Sequence, residues 1–164
     1  MNYTQTHQLN NEQKAAIMGI WNQVYPAQLQ HSTILSFEKY LYPLKNEQHI
    51  LVMDQTASVM GWLVTFERRE DRWFAMLLAD RAQGQGIGSE LLRQAKATNE
   101  VLNGWVVDHN SYKRQDGKTY LSPLEFYIKN EFEVLRDNHF EDSKIAVIQV
   151  RWEKESASQV KNEK

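Results

Sequence analysis

The apolar positions along the chain change period several times, and each change marks an element. Residues 2–7 read as a short opening strand. Asn10 or Asn11 caps a helix that continues through Ala15, Ala16, Ile17, Ile20 and Trp21, and Pro26 closes that region. Ile34, Phe37, Tyr40 and Leu41 recur at helical spacing and predict a second helix from about Thr33 to Tyr42, with Ser32 as its cap and Pro43 beyond it. Three apolar runs follow: His49–Met53, Ser58–Phe66 and Trp73–Leu78. The turns between them, Asp54-Gln55-Thr56 and Arg68–Asp71, are short and polar. Turns this short join antiparallel neighbours.

The pattern then switches. A glycine-rich loop, Gln83–Gly88, opens a helix from about Ile87 to Thr98, with Ile87, Leu91, Leu92 and Ala95 as its buried stripe. Trp105–Val107 reads as a fifth strand. Residues 111–121 form a polar excursion with an Asp116-Gly117 turn signal. Ser122-Pro123 starts a short helix through about Lys129, with Ser at the cap and Pro at the first helical position. Glu133–Leu135 and Lys144–Trp152 complete the strands. The order is β-α-α-β-β-β-α-β-α-β-β, an α/β chain in which hairpins exclude an all-parallel sheet. The expectation is a mixed, mostly antiparallel sheet with helices on both faces. Residues 1–152 read as a single domain and 153–164 as a polar tail.

Composition narrows the function. A chain of 164 residues fits one domain. The absence of cysteine excludes disulfides, thiol nucleophiles and cysteine zinc sites. A net charge of −2 gives no general basic surface for nucleic acid. No apolar run approaches the roughly 20 residues of a membrane span. Met1–Gln8 is polar, and a cytoplasmic location is expected. The five Trp and seven Tyr stand out; Trp21, Trp62, Trp73 and Trp105 read mostly as core.

The segment Gln83-Gly84-Gln85-Gly86-Ile87-Gly88-Ser89 lies between a strand and a helix. The first turn of a helix offers unpaired N–H groups and the positive end of the helix dipole. Glycines let the backbone approach a ligand closely, so the segment suits a phosphate. A P-loop would need Gly-Lys-Ser/Thr, and there is no lysine here. A dinucleotide fingerprint would need glycine at 89, where Ser stands, and a βαβ unit rather than a meander.

The spacing Gln83-x-x-Gly86-x-Gly88 matches the Gln/Arg-x-x-Gly-x-Gly/Ala motif of the GNAT superfamily of acyl-CoA N-acyltransferases in full. Phe126-Tyr127, followed at Phe132 by a second aromatic, is similar to that family's later Phe-Tyr…Gly-Phe signature. The element order also resembles the family's from about residue 10 to 152. There are two departures. Glu131 stands where members often have Gly, and Tyr120 stands seven residues before Tyr127, where members commonly have Asn. Asn110, displaced by the insertion at 111–121, is the residue then expected at the cofactor.

The resemblance implies splayed fourth and fifth strands, with the pantetheine arm of acetyl-CoA entering the gap and pairing with Met76, Leu77 and Leu78 as an added strand. It places the pyrophosphate on backbone N–H groups of the Gln83–Ser89 loop: Gln83, Gly84, Gln85, Gly86, Ile87, Gly88 and Ser89. It gives the Leu78 N–H the task of polarising the thioester carbonyl and Tyr127 that of protonating the leaving thiolate. The acceptor is an amine of unspecified identity. The base is open among Glu70, Asp71, Asp108, His109 and water. The insertion 111–121 is expected near the acceptor as a lid or wall. A homodimer through the last strands is compatible with this reading, as is a non-catalytic acyl-CoA sensor.

Overall fold

The computed structural model describes residues 1–155. Its strands are β1 (Asn2–Thr6), β2 (Lys45–Met53), β3 (Val59–Arg68), β4 (Asp71–Leu78), β5 (Val101–Val106), β6 (Glu133–Glu141) and β7 (Ala146–Glu153). Its α-helices are α1 (Asn11–Val24), α2 (Ile34–Leu41), α3 (Ile87–Ala97) and α4 (Leu124–Lys129). The strands form one sheet in the order β1-β2-β3-β4-β5-β7-β6. Every pairing is antiparallel except β4 with β5. The expected element order holds. Of the expected tail, 156–164 lies outside the described residues.

Local chemistry explains most boundaries. Asn10 and Gln13 exchange side-chain and backbone bonds in a capping box that opens α1. Thr33, not Ser32, caps α2, because its hydroxyl accepts the Ser36 N–H at 3.1 Å. Asp54 accepts the N–H groups of Thr56 and Ser58 and so folds the β2–β3 turn. Pro123 occupies the cap of α4, one place before the expected first helical position; Ser122 Oγ still accepts the Leu124 N–H at 3.2 Å. β5 begins at Val101, four residues before the expected Trp105, because β7 pairs with it from Val101 to Val106. β6 is longer than expected and irregular between Leu135 and His139.

The sheet is covered on both faces. α3 and α4 bury Leu91, Leu92 and Tyr127 against Leu63, Phe74 and Val150. α1 and α2 bury Ile17, Trp21 and Phe37 against Leu51, Trp62 and Val64. His49 is a polar member of the interior, where its Nδ1 accepts from Trp62 Nε1 at 3.0 Å. Burial, with the charge of His7 behind it, lowers the pKa of His49 to about 4. The unfolded chain therefore takes up a proton between about pH 6.5 and 4 that the folded chain refuses. Stability is full above that window and falls as pH drops through it, by about 3 kcal/mol. Urea unfolding at pH 7 and pH 4.5 measures this. His49→Gln, which keeps an acceptor for Trp62, is expected to flatten the decline; an unchanged decline would assign it to other groups.

Candidate acyl-coenzyme A site

β4 and β5 share a single bridge, Trp73 with Asn103, and diverge beyond it. Asn103 is fully buried and fastens the closed end. Its amide donates to the Arg72 carbonyl at 3.0 Å, and its oxygen accepts from Gln149 and Arg151. Just past the bridge the Phe74 ring lies over Gly104, where a Cβ would sit 2.7 Å from it. An edge contact with Tyr127 and a tilted one with Phe132 hold that ring in place. No larger residue fits at 104 without moving the ring.

The divergence exposes one edge of β4. Ala79 donates its N–H to Met60 of the β3 side, so odd-numbered residues turn toward β3. Arg72, Met76 and Leu78 turn the other way: their carbonyls accept from Asn103, Tyr25 and Gln83 respectively. Of the three residues expected to pair with the cofactor arm, Met76 and Leu78 therefore offer backbone groups to the gap. Leu77 turns its own toward β3 and borders the gap without them.

The gap opens into a cleft of about 930 Å³. At its mouth Gly84 and Gly86 both adopt left-handed backbone, φ 74° and 79°, which L side chains rarely adopt. Gly86 is the N-cap of α3 and has no side-chain cap, so the first-turn N–H groups stay available. Gln83, Gly84, Gly86, Ile87, Gly88 and Ser89 line the cleft; Gln85 does not, and its amide donates to the Arg81 carbonyl.

Tyr127 also borders the cleft. Burial, reinforced by Tyr120, pushes its phenol well above the usual value. Its hydroxyl has no hydrogen-bond partner among the described residues. Two further tyrosines join it. Tyr25, at the end of α1, donates to the Met76 carbonyl at 3.0 Å, and Tyr120 packs edge-on against Tyr25. Burial raises both, Tyr120 to about 12, so all three stay protonated near neutrality. Tyr25 lies where a helix meets Pro26, and no periodicity in the sequence distinguishes it from a packing aromatic.

The expected base residues lie elsewhere. Glu70 is in the β3–β4 turn with φ 63°. Asp71 pairs with Arg151 at 2.8 Å beyond the closed end. Burial raises the Asp71 carboxyl, but bonds from Arg151 and the Arg72 N–H hold it below its ordinary value. Asp108 is exposed past the end of β5. His109 accepts the Ser111 N–H and packs on Tyr112. None of the four lines the cleft. Asn110 does not line it either; its side-chain oxygen accepts the Ser122 N–H at 2.8 Å and closes the base of the excursion.

The excursion is a fastened wall. Arg114 forks onto Asp80 with bonds of 2.9 and 2.7 Å, tying the excursion to the turn that leads into the glycine loop. Ala27 donates to the Lys113 carbonyl, and the Tyr112 hydroxyl accepts the Ala146 N–H. Tyr120 and Leu121 face the cleft from it.

The fold is that of solved GNAT-type N-acetyltransferases. An aminoglycoside 6'-N-acetyltransferase solved with coenzyme A is similar over 93% of this chain and 97% of its own, with TM-score 0.69 and 11% identity. The aminoglycoside 6'-N-acetyltransferase from Enterococcus faecium matches over the same shares, 93% and 97%, with TM-score 0.67 and 13% identity. The spermidine/spermine N-acetyltransferase SpeG from Vibrio cholerae matches over 98% and 96%, with TM-score 0.60 and 14% identity. At such identities the likeness is one of fold. No protein-family model and no curated protein matches the chain. Among the described residues, no helix is long and apolar enough to cross a membrane.

Proposed function

We propose that the chain transfers the acetyl group of acetyl-CoA to a primary amine by direct attack in a ternary complex. One observation carries this reading: the edge of β4, without a strand partner beyond Trp73, runs straight into a loop of left-handed glycines at an uncapped helix start. The arm of the cofactor adds to that edge through Met76 and Leu78. Its pyrophosphate takes the N–H groups of the loop and first turn of α3. The amine nitrogen attacks the thioester carbon, a C–N bond forms, and the C–S bond breaks. The Leu78 N–H stabilises the carbonyl oxygen as it gains charge. The amine's proton leaves through water, since none of the expected carboxylates lines the cleft. The sulfur takes its proton from Tyr127, which then recovers one from solvent. A single domain in the cytoplasm belongs to the same reading.

No Asp or Glu among the described residues lines the cleft, and this also favours a second reading, in which the site binds acyl-CoA without turning it over. Two measurements separate them. Acetyl-CoA at millimolar concentration is expected to raise the melting temperature, because a ligand that binds only the folded chain stabilises it. Thiol release in the presence of amines then marks the enzyme. Without a thermal shift both readings fall; a shift without thiol release leaves the sensor.

A further inference from the structure

The two faces of β4 divide the cleft. Phe74, Met76 and Leu78 pack on the α3 and α4 side, together with Tyr127. Trp73, Ala75 and Leu77 pack on the α1 and α2 side. The glycine loop belongs to the first compartment, so the second is the one left for the acceptor. Its wall is built from Trp21, Tyr25, Trp73 and Trp105. Among the described residues that line the cleft, none is Asp or Glu.

The charged groups at this wall are cationic. The Arg68 guanidinium lies over the rings of Phe66 and Trp73, 5.0 and 5.6 Å from their centroids. Lys144 reaches the cleft from the β6–β7 turn, which Gln28 braces through the Lys144 carbonyl. Neither Arg68 nor Lys144 forms an ion pair within 4 Å among the described residues, although the Lys144 charge reaches the Asp142 carboxyl in its own turn. His31 lines the same cleft with Nδ1 bonded to Ser36 Oγ at 2.8 Å; burial, then the charge of Lys144, lowers its pKa and so favours the neutral ring. The ring faces at this wall attract cations, but Arg68 already covers Phe66 and Trp73, so a second ammonium group entering here would meet the like charges of Arg68 and Lys144. A carboxylate would meet the opposite.

We propose that the acceptor is a primary amine on an aromatic-sized apolar body, bearing a carboxylate at its far end for Arg68 and no second positive charge. This deepens the acetyl-transfer reading and rests on it. Three amines test it: 4-(2-aminoethyl)benzoate, phenethylamine, and the polycation spermidine. Each is titrated calorimetrically into the CoA-loaded protein, or into the free protein should CoA not bind, and each is assayed for thiol release with acetyl-CoA. The benzoate is expected to bind about tenfold more tightly than phenethylamine, the size of one charge-assisted hydrogen bond, and spermidine most weakly of the three. Arg68→Gln is expected to erase the benzoate's advantage, weakening it about tenfold and phenethylamine much less. The proposal is overturned if spermidine binds as well as the benzoate, if no aromatic amine binds, or if Arg68→Gln lowers both aromatic amines equally. The expected binding order without thiol release would keep this ligand class for the cleft and remove the acetyl-transfer reading instead.

Discussion

Gly86→Glu is expected to leave a folded protein that no longer binds acetyl-CoA. Gly86 has φ 79° and caps α3, and a Cβ built on it meets nothing within 4 Å. The substitution therefore adds left-handed strain of about 1–2 kcal/mol without a clash, a loss that a domain of this size tolerates. The side chain enters the mouth of the cleft, where the pyrophosphate must come close to the backbone. It also sets a carboxylate beside the phosphates, at the end of a helix whose dipole otherwise attracts them. Obstruction and repulsion together should weaken binding by at least about 100-fold, or roughly 2.7 kcal/mol. Calorimetry reads the affinity, and circular dichroism with thermal melting reads the fold. Gly86→Ala carries the same strain with far less bulk and no charge, and should lose much less. Equal affinity in wild type and folded Gly86→Glu would remove the phosphate from this loop.

The fold was legible because each element carried a local signal. Alternation and short turns marked β2, β3 and β4. The glycine loop fixed where α3 begins, since left-handed backbone at 84 and 86 admits few other residues. What the sequence hid depends on distant partners. β5 starts at Val101 because β7 lies beside it, and nothing local to 101–104 says so. The splay is set by Asn103 and by the fit of Phe74 over Gly104, a contact between strands thirty residues apart.

The candidate site divides in the same way. The loop and Tyr127 were readable as motifs, whereas the tyrosine cluster was not, because Tyr25 and Tyr120 meet only after the excursion folds back over α1. The four base candidates, Glu70, Asp71, Asp108 and His109, lie near strand ends in the sequence. Tertiary pairing takes Asp71 to Arg151 and His109 to the excursion's own backbone. Asn110 was expected at the cofactor, and here it holds Ser122. The excursion's role as a wall follows from Arg114 and Asp80, thirty-four residues apart, whose pairing no spacing rule could foresee.

Tyr127→Phe is the sharpest test of the chemistry. The change removes one oxygen and keeps a ring that packs edge-on against Phe74, Phe126 and Phe132. The hydroxyl has no protein partner among the described residues, so its loss orphans no buried group, and stability should change by less than about 1 kcal/mol. If the phenol protonates the departing sulfur, kcat should fall by roughly 10²-fold or more. The KM for acetyl-CoA should move much less, because the bond matters only once charge develops on sulfur. Burial has raised the phenol well above its usual value, which by itself makes a weaker acid. The same low-dielectric cleft raises the energy of a thiolate, so the transfer between them costs less than either value suggests. A phenol raised above 10 stays protonated through neutrality, so the alkaline limb of kcat should show no loss from Tyr127 below about pH 10. A Phe variant with unchanged kcat would mean that the thiolate leaves unassisted or is protonated by water, and Tyr127 would then be a packing residue whose hydroxyl faces the cleft to no chemical effect.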